Sequence, residues 1–308
     1  MVIYTITLNP YLDKTIDIEE LVYDDVNEIV EEKKFAGGKG IDVSRVINEL
    51  GGQSIVLGLI GGYSGLELES RLINEGIICD FTRINNETKT NTTVYQKNKK
   101  IQTLLSASDP DVSSIEIMTF FSKIKEIPKG SLVVITGNAP RFISDNFYAQ
   151  IIIALKEKGT KVILDTDHGA LKKGVSAGPY LIKPNIHEFG RLIEKNISGI
   201  EEIIEYAKPY KNVVEYIAVS MGAMGVLGIS NDAVYHIIPP KIKVGSSIGA
   251  GDSLVGGLAF SLSEGKSFEE ALVLGVASGT AASLNQGREL CKKEDIDTIK
   301  KDVKIKII

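Results

Sequence analysis

The chain has 308 residues, 43% of them hydrophobic and 24% charged, with a formal net charge of −5. That is room for one large α/β domain or two smaller ones, and the acidic balance excludes a nucleic-acid surface built on bulk charge; the lysines of 97–100 are interrupted by Asn98. Two distant cysteines, Cys79 and Cys291, exclude a disulfide scaffold and suit a reducing cytosol, and three scattered histidines argue against a zinc site.

The opening "MVIYTITLNP" is rich in β-branched residues and predicts a first strand; it has no basic lead or long apolar core of a signal peptide. No apolar stretch approaches the about 18 residues of a membrane span, so a cytoplasmic protein is expected. "DKTIDIEELVYDDVNEIVEEKKFAGG" follows, polar and strand-like. After its glycine pair, Ile41, Val43, Val46, Ile47 and Leu50 recur at helical spacing, and the helix stops at Gly51–Gly52. "SIVLGLIG" reads as a buried strand and "GLELESRLINEG" as a helix. "KTNTTVYQKNKKIQTLLSAS" alternates polar and apolar residues and predicts a hairpin. Then come "SLVVITG", "NFYAQIIIALKEKG", "KVILDTD", "YLIKPN" and "VEYIAVSMG", strands alternating with a helix pattern. The alternation predicts a mostly parallel sheet with helices on both faces. The two polar segments break it, and either form plain surface hairpins or join in a small lid sheet. The chain ends in two helices rich in small residues, "AGDSLVGGLAFSLSEG" and "SFEEALVLGVASGTAASLNQG". Small residues allow close helix packing or leave room for a flat ligand. No linker or internal repeat divides the chain.

Gly249, Ala250 and Gly251 stand where a loop turns into a helix, with Asp252 in the first turn. The first amides of a helix lack intrahelical acceptors, and with the helix dipole they attract an anion that small residues let approach. Asp252 either complements the dipole or serves as a base beside that anion. A cradle for negative charge with a carboxylate one residue away is what phosphoryl transfer to an alcohol requires. No GxxxxGK[ST] is present, and no GxGxxG follows the first strand, so neither a P-loop nor a dinucleotide fold is indicated.

"GGKGIDVSR" and "SIGAGDSLVGG" resemble the two signatures of the ribokinase-like carbohydrate kinases, in the branch that holds 1-phosphofructokinase, tagatose-6-phosphate kinase and the minor-type 6-phosphofructokinase. "TLNPYLD", "LIKPNIHE", "VSMGAMG" and "AASLNQG" add to the resemblance, which runs from Tyr4 to about Asp297. It implies a three-layer α/β/α domain over 1–308 with a small β lid from segments 14–36 and 88–107, and ATP, Mg²⁺ and a sugar phosphate as ligands. It implies Asp252 as the base and Gly249, Ala250 and Gly251 as the anion hole. Lys183 would approach the ATP phosphates. Asn185 and Glu188 would organise Mg²⁺, partly through water, although the same spacing is a helix capping box. Ser220, Gly222 and Gly225 would line the nucleotide site, or the glycines merely form a turn; Ala277, Gly279 and Asn285 would border adenine. On the sugar side the resemblance implies Asp13 gripping hydroxyls and Gly37, Gly38 and Lys39 against the phosphate.

Departures gather on that sugar side. Asp42 replaces the family's Asn, Lys89 its Arg, and Asn138 its Ser, at positions facing the substrate. A carboxylate cannot donate as an amide does, and a lysine lacks arginine's fork. Ser246 stands where ribokinases with a monovalent-cation site carry an acid, so that cation is not expected. The resulting reading is an ATP-dependent kinase of a ketohexose monophosphate, fructose 1-phosphate first. "DDVNEI" favours the 1-phosphofructokinase and tagatose-6-phosphate kinase groups, and "AASLNQG" the minor 6-phosphofructokinase. A homodimer through the lid is expected. A non-catalytic sugar-phosphate sensor on the same fold and a dehydrogenase are the readings from other classes.

Overall fold

The computed structural model describes residues 1–286 and 289–308; Gly287, the last residue of "AASLNQG", lies outside them. Its central sheet is built on parallel strands β1 (Ile3–Thr7), β4 (Ser54–Gly61), β9 (Leu132–Thr136), β10 (Lys161–Asp165), β11 (Leu181–Ile182) and β12 (Tyr216–Ser220). The short β5 (Ile78–Cys79) and β6 (Thr82–Ile84) pair with β4 at one end. At the other, β13 (Val226–Ile229), β14 (Val234–Ile238) and β15 (Lys304–Ile307) add an antiparallel meander, so the order runs β5-β4-β1-β9-β10-β11-β12-β13-β14-β15.

The central strands are apolar on both sides, as a sheet between two helix layers requires. In β9, Val133 and Ile135 face one core with α3 (Ser114–Glu126), α4 (Phe147–Lys156), α5 (His168–Ser176), α6 (Ile186–Ile193) and α7 (Ile200–Ala207). Leu132 and Val134 face the other, with α1 (Lys39–Glu49), α8 (Ala250–Ser263) and α9 (Phe268–Ala282). α2 (Gly62–Asn74) closes a smaller core at the β4 end, and α10 (Lys293–Lys300) packs outside α1 and α9. This is the expected three-layer α/β/α architecture. Among the described residues no helix is long and apolar enough to cross a membrane.

The two polar segments meet in one separate four-stranded sheet, in the order β3-β2-β7-β8. Its strands are β2 (Tyr11–Ile18), β3 (Glu31–Gly37), β7 (Thr90–Gln96) and β8 (Ile101–Leu105). β2 pairs antiparallel with β3 and parallel with β7, and β7 and β8 form the expected hairpin.

The small residues of α8 and α9 are used in helix contact. A methyl at Gly256 would lie 2.6 Å from Val46 Cγ1, and one at Gly279 would lie 2.8 Å from the Ala250 carbonyl oxygen. Ala277 is fully buried with Val46, Leu50 and Cys291. The adenine border is expected at this residue, whose methyl here packs among those side chains. "YLIKPN" likewise contributes only two strand residues, since Pro184 and the cap at Asn185 end it.

Candidate active site

Parallel strands put all their carboxyl ends on one edge of the sheet, and ligands of open α/β sheets bind beyond that edge. Here Thr7, Thr136, Asp165, Ile182 and Ser220 end β1, β9, β10, β11 and β12. Asn9 after β1, Asn138 after β9, and Lys183 and Asn185 after β11 are therefore carried to the same edge.

Asp252 stands opposite, in the first turn of α8. Gly249 precedes the helix with φ 78°, a left-handed conformation that glycine adopts without strain. The helical ladder begins with Ser253 N donating to the Gly249 carbonyl at 2.8 Å, which leaves the amides of Gly251 and Asp252 ahead of it. The space beside Gly251 is open: a methyl there would meet no atom within 4 Å. Burial pushes the Asp252 carboxyl up to about 8; Asp42 and Asp165 push the same way, and Lys39 and Lys183 oppose them. The carboxyl therefore holds its proton at neutral pH and accepts one only after losing it as pH rises, with two lysines in electrostatic reach.

At the end of β10 and β11, Lys183 Nζ meets Asp165 Oδ1 at 3.0 Å, both side chains at 5% exposure or less. Thr136 Oγ1 donates to the other Asp165 oxygen at 2.9 Å. Asn185 and Glu188 form the capping box of α6: Asn185 Oδ1 accepts from the amides of His187 and Glu188 at 2.9 Å, and Glu188 Oε2 accepts from Asn185 N at 2.7 Å. Asn185 also bridges to Ser220 across β11 and β12, which sets the two loops side by side. Gly222 opens a tight turn, and Gly225 after it must be glycine, because a methyl there would lie 1.9 Å from the Ile237 carbonyl oxygen. Asn285 lies beyond the end of α9 and donates to the Leu290 carbonyl at 2.7 Å.

Toward the small sheet, Asp13 is buried in β2, opposite Phe35 of β3 and Asn91 of β7. Gly37 ends β3 with its Cα against the Tyr11 ring, and Gly38 caps α1 at φ 145°. Thr7 Oγ1 accepts from the Gly40 amide at 2.7 Å and so fixes that turn to the end of β1. Lys39 starts α1, its stem over Gly137; the charge of Asp165 leads in raising its pKa, against burial and with help from Asp252. Asp42 accepts from Arg45 at 2.7 Å, and Arg45 also holds Glu75. Asn138 is exposed next to Gly137, at the end of β9. Lys89 pairs with Asp109 at 2.8 Å.

Asp165, Thr7 and Asp109 were not singled out from the sequence. For Asp165 a signal existed: a carboxylate ending the apolar run "KVILD" has to sit at a strand's carboxyl end. Asp109 lies in an irregular connection, and nothing local marks its partners.

Residues 6–295 match the model of the pfkB family of carbohydrate kinases. The chain belongs to this family. Among curated members it is 32% identical to the 1-phosphofructokinase of Bacillus subtilis, over 98% of this chain and 99% of that protein. It is 34% identical to the 1-phosphofructokinase of Borreliella burgdorferi, over 96% and 95%. Among solved pfkB-type structures it superimposes on Escherichia coli phosphofructokinase-2 in complex with potassium with a TM-score of 0.91, at 30% identity, covering 97% of this chain and 98% of that one. The resemblance read from "GGKGIDVSR" and "SIGAGDSLVGG" is therefore a family membership spanning nearly the whole pfkB-type chain.

Proposed function

We propose that this single pfkB-type domain transfers the γ-phosphoryl group of ATP to a hydroxyl of a ketohexose monophosphate, with fructose 1-phosphate the first choice and fructose 1,6-bisphosphate the product. One observation carries the reading: Asp252 stands in the first turn of α8, directly after the open space at Gly251, with Lys39 and Lys183 in electrostatic reach. Asp252 takes the proton of the acceptor hydroxyl as the bond to phosphorus forms. The amides at the start of α8 meet the charge on the transferred phosphoryl. Lys183 has three donors and gives one to Asp165, so the ammonium is pinned and still able to meet ATP phosphates. Asp13 orients the sugar, and Lys39 answers its phosphate.

Mg²⁺ suits this edge of the sheet. Among the described residues no three His, Cys, Asp or Glu side chains form a cage, and Mg²⁺ held by a carboxylate or two, water and substrate phosphates needs none. Glu188, with Asn185 through water, would hold it; when bound it neutralises phosphate charge. For Glu188 the cap and this role draw on different atoms, since the cap uses only Oε2, while Asn185 Oδ1 is shared with two cap amides.

The test is a coupled ADP-release screen over fructose 1-phosphate, fructose 6-phosphate, tagatose 6-phosphate and tagatose 1-phosphate. Fastest turnover with fructose 1-phosphate is expected. ATP consumption with none of them would leave the sensor reading standing.

The small sheet closes over the sugar and joins a second copy of the chain. What supports this is its apolar exposure: Phe35 at 51%, Leu104 and Leu105 at 56%, and Val26 at 87% in the connection between β2 and β3. Pairing hides such side chains and the sheet's open edges. Light scattering at micromolar concentration should give a dimer, and Leu104→Lys should shift it toward monomer. A strict wild-type monomer would remove the dimer.

A further inference from the structure

Lys89 stands where the small sheet meets the main body, its carbonyl accepting from Leu12 N at 3.0 Å at the start of β2. Its ammonium donates to Asp109 Oδ1 at 2.8 Å, and Asn9 Nδ2 donates to the same oxygen at 2.8 Å. The Arg141 amide donates to Asp109 Oδ2 at 3.2 Å. Asp109 belongs to the connection from β8 to α3, so one carboxylate ties that connection to the end of β1, the loop after β9 and the residue that leads into β7. The pair is 14% and 16% exposed. Burial works against the charged carboxylate, but the hydrogen bonds from Lys89 and Asn9 and the charge of Lys89 outweigh it, and Asp109 titrates below its ordinary value.

A sugar phosphate that approaches Lys89 therefore meets an ion pair and not a bare cation. The net charge of the pair is zero, and the dianion must share the ammonium with a carboxylate held within hydrogen-bond distance of it. Support from Asn9 and Arg141 keeps that carboxylate in place. We infer that Asp109 is a specificity-determining positioning residue, a built-in counter-ion that competes for Lys89 and sets how tightly the anionic end of the sugar phosphate is held. The inference rests on the proposed contact of Lys89 with that phosphate. Asp109 acts through Lys89 and takes no part in the transfer.

Asp109→Asn keeps the shape and an acceptor for Asn9 and removes the charge. Titration calorimetry with fructose 1-phosphate, nucleotide absent, should show its Kd falling by about twofold to fivefold, the scale of a partly exposed ion pair. KM for the sugar phosphate should fall with it, while KM for ATP stays unchanged. Asp109→Ser should move Kd in the same direction. In a Lys89→Ala background the gain should vanish, which is the coupling that a merely structural role would not produce. A weaker sugar phosphate in Asp109→Asn overturns the inference, as does a gain that survives without Lys89. If Lys89→Ala alone leaves Kd and KM unchanged, the contact of Lys89 fails and the inference falls with it; that failure is distinguished because it appears in the single lysine variant.

Discussion

Asp252→Asn is expected to lower kcat by about 10²-fold or more, the usual scale for a positioned base, and to leave ATP affinity nearly unchanged. The same variant should be more stable than the wild type at pH 7. The folded carboxyl is raised to about 8, far above the ordinary carboxylate range, so the folded state binds the proton more tightly than the unfolded chain does. Stability from this group is then greatest below its unfolded pKa and is lost as pH rises through that of the folded state. An amide cannot ionise, escapes this loss, and should raise Tm by about 2 °C or more. In the wild type, kcat/KM should climb with pH and level off above about 8, because it reports the free enzyme's base. Asp42→Asn removes one of the two carboxylates that raise Asp252 and should move that midpoint down. Steady-state kinetics across pH 6–9 and thermal unfolding check these outcomes. A variant at Asp252 that keeps most of its turnover would reduce the residue to a helix-dipole acid.

What the sequence made legible is the part written in local pattern. Apolar runs such as "SLVVITG" revealed strands buried on both faces, and the turn before Asp252 revealed a helix start open to an anion. The polar segments around Asp13 and Lys89 were readable as strands of a small sheet, because alternation has a period of two whichever sheet receives it. What stayed hidden depends on partners far along the chain. Lys183 and Asp165 meet because β10 and β11 are neighbours, and Lys89 and Asp109 meet across the β7–β8 hairpin. Neither spacing carries a helical or strand period. Ala277 shows another limit: a small residue on a helix suits a flat ligand and a second helix equally, and its burial with Val46 and Ile296 depends on partners that the local pattern does not name. The Asn185–Glu188 spacing was ambiguous for a related reason, since a cap and a metal site both use an oxygen at the start of a helix.

Asp165→Ala should destabilise the protein by about 3–5 kcal/mol, the cost of leaving a buried charge without its partner. Lys183 is 4% exposed, so its ammonium would be left largely desolvated without a counter-charge, and Thr136 loses the acceptor of its hydroxyl. Asp165→Asn keeps the shape and an acceptor but not the charge, so its loss should be smaller. Removing both charges, in Asp165→Ala with Lys183→Met, should recover part of the single variant's loss, because two ions cease to be desolvated together. Urea unfolding at pH 7 without nucleotide measures each step. A single variant within about 1 kcal/mol of wild type, or a double variant no better than Asp165→Ala, would mean that the pair is solvated or otherwise compensated. The double variant separates stability from function. If the ammonium of Lys183 is held by Asp165 to meet ATP, the recovered protein should bind ATP about ten- to a hundredfold more weakly, as expected for the loss of a hydrogen bond between charged groups. Recovery of stability with unchanged ATP affinity would assign the pair to folding alone.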